Sequence, residues 1–242
     1  MLSAYHILKK MALTVVFATV FVTLGAQNLP NVEYKRLHFG FSLGLDILDF
    51  GIKNSMKAAP NGYIYQAEVS SLMPGFNVGL IGDVRLCNYL NLRLCPTFYI
   101  ADRTLTFMNS HNDDLYKVTV RSTLITVPLL LKYSAVRINN YGIYVIGGAG
   151  VLFDFSHEQK NPILLEYFDY FVEFGVGCTF YTKYFRLSPE IKFALGFNNV
   201  HMNWDRRLED INGGYLDPDW KPYNDALSKL TSRLFTFSLN FE

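Results

Sequence analysis

From Leu230 to Glu242 the chain reads LTSRLFTFSLNFE, a strict alternation of apolar and polar residues. Phe235, Phe237, Leu239 and Phe241 share one face, and Thr236, Ser238, Asn240 and Glu242 the other. A period of two places successive side chains on opposite faces of a β-strand. Seven further stretches follow the same rule: 36–48, 76–86, 90–100, 125–133, 141–155, 168–182 and 185–198. The links between the eight alternate long and short, so the short turns all fall at one end and the long links at the other. That pattern predicts an all-β fold, an eight-stranded antiparallel transmembrane β-barrel with short periplasmic turns and long extracellular loops.

Composition agrees with an inside-out barrel. Half of the chain is hydrophobic, 16% is aromatic and only 18% is charged. The polar faces carry acids and bases in balance, among them Arg93, Lys132, Glu173, Arg186, Glu190 and Lys192, which predicts a lumen network of paired charges. Asp102, Arg121 and Arg233 break the apolar face near the long-loop ends of their strands, where a charge at the bilayer edge costs only ~0–1 kcal/mol. Gly40, Gly44, Gly79, Gly148, Gly150, Gly175, Gly177 and Gly196 lie on the polar face, making room for large lumen side chains. Tyr133, Tyr141, Phe180, Tyr181, Tyr184 and Phe185 gather near the short turns, as in an interfacial girdle. A formal net charge of +1 with no basic run argues against a nucleic-acid partner.

Residues 1–26 are expected to be a signal peptide and 27–242 the barrel. Lys9 and Lys10 precede the apolar run Met11 to Leu24, and the small residues Gly25 and Ala26 precede Gln27. Localisation in the bacterial outer membrane follows from export plus strands that face lipid. The three cysteines, Cys87, Cys95 and Cys178, are read as packing residues, since Cys87 and Cys95 would stand too far apart along their hairpin to bond. Within the strand at 118–133, Val118 to Ser122 run in opposite phase to Ile125 to Tyr133, which predicts a bulge near Thr123.

Little of the chain has the pattern of a catalyst. Ser110 and His111, with Asp113 and Asp114, are the candidate catalytic group of a lipid-modifying enzyme, but neighbours in sequence rarely meet a triad's geometry. Asp217 and Asp219 are carboxylates of a solvated loop, and no spacing calls for a metal or cofactor. The fourth long link holds Trp204, Arg206, Arg207, Tyr215 and Trp220, the residue types that anchor protein interfaces, and these are the candidate partner-binding residues. Packing of those aromatics onto the barrel rim is the alternative.

Four segments, VPLLLKY at 127–133, YVIGGA at 144–149, YFRLSPE at 184–190 and RLFTFSL at 233–239, together resemble the PorT family, and the likeness runs over essentially the whole mature chain. The resemblance implies an outer-membrane barrel component of the type IX (Por) secretion system, needed for export of cargo such as gingipain-type proteases. Partners would be outer-membrane lipid, other type IX components and possibly secreted cargo. It brings no catalytic residues with it, and it leaves Cys87, Cys95 and the particular loops unexplained. A structural or adhesive small barrel is the remaining alternative.

Overall fold

A computed structural model describes residues 35–59, 62–109, 115–156, 161–210 and 216–242. The expected signal peptide lies outside them. Ten strands form one antiparallel sheet: β1 Leu37–Asn54, β2 Tyr65–Leu72, β3 Pro74–Arg85, β4 Leu90–Leu94, β5 Thr97–Asn109, β6 Leu115–Ser134, β7 Tyr141–Asp154, β8 Phe168–Tyr181, β9 Arg186–Gly196 and β10 Leu227–Phe241. Each pairs with its chain neighbour, and β1 pairs with both β10 and β3, so the sheet closes on itself. Among the described residues no helix is long and apolar enough to cross a membrane.

The ten strands make eight staves. β4 and β5 lie on one line, because the ladder to β6 runs from Leu94↔Leu129 to Thr97↔Thr126 without a shift. Cys95 stands opposite Pro128 on this register, and Pro96 follows it. Neither proline has an N–H for the ladder, which interrupts an otherwise continuous strand. β2 and β3 form another stave against β5, slipping by one residue at Met73 and again between Val69 and Ser71. The bulges therefore fall in this stave.

The bulge expected near Thr123 is absent. β6 keeps one register with β5 from Met108↔Leu115 to Thr97↔Thr126, and with β7 from Leu124↔Asp154 onward. Even-numbered residues of β6 face inward throughout; what changes is their chemistry. Below Thr123 the inward residues include Lys132 and Thr126 and the outward ones are Ile125, Leu129 and Leu131. Above it Val118 and Val120 are buried inside, while Lys117, Thr119 and Arg121 point out. β1 repeats the change: Phe39, Leu43 and Leu45 are exposed outward up to Ile47, and then Leu48 and Phe50 are buried inward beside outward Asp49 and Lys53.

The apolar outer band of β1 runs from Leu37 to Ile47. At ~3.4 Å per residue and a tilt of about 40° it is roughly 26 Å tall, matching the ~25 Å apolar band of such barrels. Asp102 and Arg121 mark its upper edge as direct cross-strand partners with a 3.7 Å ion pair, Arg121 being 77% exposed. Arg233 lies opposite Asp49 at the same level.

Above the band the staves continue as a water-facing barrel end. This shortens two of the long links expected from sequence. Residues 49–54 and 65–72 of the first are strand, as are 104–109 and 115–116 of the second. The extension holds a hydrophobic core of Phe50, Leu105, Phe107, Val118, Val120, Leu227 and Leu230, capped by Ile163 and Leu165 from the third link and Val200 and Ala226 from the fourth.

At the short-turn end, Tyr181 departs from its expected place in the girdle. It is buried inside, in phase with Gly177 and Thr179, with the Arg137 guanidinium 3.8 Å over its ring. Cys87 is exposed at the first turn and does not pack; Cys95 is buried and Cys178 half-buried, and all three are free thiols.

Candidate functional site

Two regions hold the candidate residues: the lower bore and the cap formed by the third and fourth links.

Alternation on five staves delivers charged side chains to one layer of the bore. Arg93, Lys132, Arg186, Lys192, Glu173 and Glu190 are all buried there, joined by Asp83 and Glu242. Arg93, 1% exposed, is the hub. Its Nη2 and Nε donate to Asp83 Oδ2 at 2.9 and 3.2 Å, its Nη1 to Glu190 Oε2 at 3.3 Å, and its Nη2 also to Glu242. Arg186 Nη2 holds the other oxygen of Glu242 at 2.6 Å, and Lys192 Nζ lies 3.0 Å from Glu173 Oε1 and 3.9 Å from Glu190 Oε1. Lys132 Nζ is 3.8 Å from Asp83 and 3.9 Å from Glu242, over the Tyr144 ring at 4.3 Å.

Four cations thus face four carboxylates. In a low-dielectric bore such a layer is tolerated when each charge is paired, and removing one partner is what costs most. Tyr144 completes it, donating its hydroxyl to Glu190 Oε2 at 2.7 Å. A face count restricted to charges passes over this residue. The ring fits because residue 177 is glycine: a Cβ there would overlap Tyr144.

A second, smaller pairing sits higher in the bore. Arg103 donates to Ser122 Oγ at 2.7 Å and Asp154 Oδ2 at 3.2 Å, with its guanidinium 4.2 Å over the Phe50 ring. Between and above these layers Leu48, Tyr99, Leu124, Leu152, Phe171 and Leu234 pack the interior. Side chains fill the bore.

In the fourth link a short helix, Trp204–Asp210, sets Trp204 and Arg207 on one face at i, i+3 spacing. That face is turned inward: Trp204 is 8% and Arg207 0% exposed. Arg207 donates to the carbonyls of Pro162 and of Asn161, the latter at 2.7 Å, and so ties the fourth link to the third. Backbone bonds from Glu166 N to Val200 O (2.9 Å) and from Met202 N to Leu164 O (3.1 Å) zip the same two links together. Trp204 and Arg207 therefore build the cap and are not available at its surface. Arg206 is exposed and pairs with Glu166; Trp220 is half-buried beside Tyr65, Tyr116 and Tyr223. Tyr215 lies outside the described residues, as do Ser110, His111, Asp113 and Asp114.

Two titratable groups of the cap lie outside the membrane span. Burial, and then the Arg207 charge, push His201 down to about 4, and burial lowers Arg207 to about 10. Both ring nitrogens of His201 lack a hydrogen-bond partner among the described residues. Asp217 Oδ1 accepts from Asp219 N at 3.0 Å, capping the 3-10 turn Pro218–Trp220. Among the described residues no group of His, Cys, Asp and Glu is arranged to hold a metal ion.

The family model described as "Outer membrane protein beta-barrel domain" matches residues 25–202. No curated protein matches the chain. Among solved structures the chain is similar to the outer membrane protein OprG from Pseudomonas aeruginosa, with 11% identity, 90% of this chain and 96% of that chain covered and a TM-score of 0.45. It is also similar to Ail, the attachment invasion locus protein of Yersinia pestis, solved with the heparin analogue sucrose octasulfate, with 12% identity, 86% and 99% covered and a TM-score of 0.36. The family match spans most of the sequence, and the closed sheet with its lipid-facing apolar band has the form the family name describes. This chain belongs to the outer membrane protein β-barrel domain family and resides in the bacterial outer membrane.

Proposed function

We propose that the protein is a non-catalytic scaffold or assembly factor of the type IX secretion system, acting in the export of cargo across the outer membrane. The resemblance to the PorT family supplies the pathway. The observation that supports a scaffold over a conduit is the bore: ion pairs fill its lower part, apolar side chains its upper part, and the joined third and fourth links cover its outer end. A barrel so packed has no path for a folded protein, so the cargo would pass through a different, larger component. Its partners in this reading are outer-membrane lipid, other type IX components and, through the loops, secreted cargo.

Deleting the gene is expected to stop cargo export, while the purified barrel in a planar bilayer carries no steady ionic current. Large, stable conductance would refute the scaffold reading. An adhesive or purely structural small barrel is the second reading. It is favoured by the ordered cap, which lifts Arg206 and Trp220 above the apolar band. Undiminished secretion in the deletion strain would select it.

A further inference from the structure

The two ends of the barrel differ in charge. At the loop end acids and bases mix. At the short-turn end the exposed or half-buried charged residues are Lys35, Arg36, Arg85, Arg137 and Lys183, all cationic. The one carboxylate side chain at that level, Glu242, is fully buried beneath Arg186 and Arg93.

This end is also where the bore opens. A cavity of about 320 Å³ enters from the turns along the barrel axis, lined by His38, Arg85, Lys132, Arg137, Tyr181 and Arg186 among others. No carboxylate belongs to the described residues that line it. Lys132 and Arg186 form its floor and are both more than nine-tenths buried. Arg186 gives Nη2 to Glu242, but its Nε has no hydrogen-bond partner among the described residues. Arg85 is braced by the Cys87 carbonyl (3.1 Å) and Asn88 (2.9 Å); Arg137 by the Asn139 carbonyl (2.6 Å), Asn140 (3.2 Å) and the Tyr181 ring. Two guanidinium groups on different turns are thus held at the rim by their own turns, above a cationic floor.

We propose that this vestibule is a docking site for an acidic segment of a periplasmic protein. The four-against-four layer below is neutral in itself, so Arg85 and Arg137 add uncompensated positive charge at the mouth. A concave site lined by one sign of charge concentrates the opposite sign. The cavity opens on the axis, inside the ring of staves, so lipid headgroups outside the barrel do not face it. Its cations come from separate turns and from the floor, a spread that suits several carboxylates along a chain better than one compact anion. The inference needs only the orientation of the barrel and stands apart from the secretion reading.

The test uses the purified full barrel in detergent with a fluorescein-labelled octaglutamate peptide, read by anisotropy. Wild type is expected to bind saturably and to weaken steeply from about 50 to about 200 mM salt. The R85Q/R137Q variant is expected to lose affinity by at least about tenfold, as for two charges worth roughly 1 kcal/mol each, while R85K/R137K retains most of it. Both variants alter only turn residues, and retention of the heat-modifiable gel shift reports that each is folded. Equal affinity of wild type and the glutamine variant would overturn the proposal. So would tighter binding of soluble glycerophosphoglycerol than of the peptide, which would mark the vestibule as a lipid-headgroup site.

Discussion

Arg93 is where the ion-pair layer can be broken most informatively. Replacing it with Met keeps most of the side-chain volume and removes every donor to Asp83 and Glu190, together with one of those to Glu242. Three cations would then face four buried carboxylates. Arg186 still holds Glu242 at 2.6 Å and Lys192 still serves Glu173 and Glu190, but Asp83 is left with Lys132 alone at 3.8 Å. Breaking a buried pair by removing one partner costs about 3–5 kcal/mol. With a urea m-value of about 2 kcal/mol per molar, that is a midpoint lowered by roughly 2 M. The measurement is urea unfolding of the barrel refolded into lipid, followed by tryptophan fluorescence and by loss of heat-modifiable gel mobility. Adding D83N restores the count to three against three and removes the carboxylate left weakest, so R93M/D83N should recover a large part of the loss. If R93M shifts the midpoint by less than about 0.5 M, or if D83N makes it worse, the bore is not held by balanced charge and the reasoning fails.

Two further outcomes follow from the cap and from the edge of the apolar band. His201 takes up its proton near pH 6.5 when unfolded but only near 4 in the folded cap, so its contribution is complete above pH 6.5 and is lost as pH falls toward 4, up to about 3 kcal/mol. In a W220F background, Trp204 emission should shift red across that window and H201L should abolish the shift; a pH-independent spectrum would contradict the buried neutral imidazole. For the band, L43R places a charge outward at mid-height and D49R places one above the switch, so refolding into bilayers should weaken by ~2–4 kcal/mol for the first and ~0–1 kcal/mol for the second, and equal penalties would misplace the membrane edge.

Where each strand begins at the short-turn end was legible, because alternation starts sharply at Leu37, Leu90, Tyr141 and Arg186 after polar or small turn residues. Where strands end at the loop end was not. Past Ile47 and again before Thr123 the inward residues become apolar and the outward ones polar, which in a period-two reading looks like a slip or the end of a strand. Leu48, Phe50, Val118 and Val120 cause that misreading, and all four keep register. The break at Cys95–Pro96 was hidden for a different reason: Pro128 interrupts the same rung from the facing strand, and only the pairing brings the two prolines together. Tyr181 was legible by parity with Glu173 and Gly177, and an aromatic-girdle argument overrode the parity. In the fourth link, residue types could name Trp204 and Arg207 but not their direction. The partners of Arg207 are main-chain carbonyls at 161 and 162, groups that every sequence has.

The same staves therefore meet two solvents on one register, and that decides what can hold each half together. In the bilayer the apolar side chains go to lipid, so the lower bore is left with polar groups and must be stabilised by pairing; hence the equal numbers of cations and carboxylates around Arg93. Above the band water lies outside, so the alternation inverts and the hydrophobic effect again draws Phe50, Leu105, Val120 and Leu230 inward. Only that upper half has an apolar surface for loops to pack against, which is why the third and fourth links close it through Ile163, Leu165 and Val200. The lower half presents charge at its mouth, and short turns have no apolar floor to fold onto there. One end of the barrel is consequently sealed by its own chain and the other stays open to a partner of opposite charge.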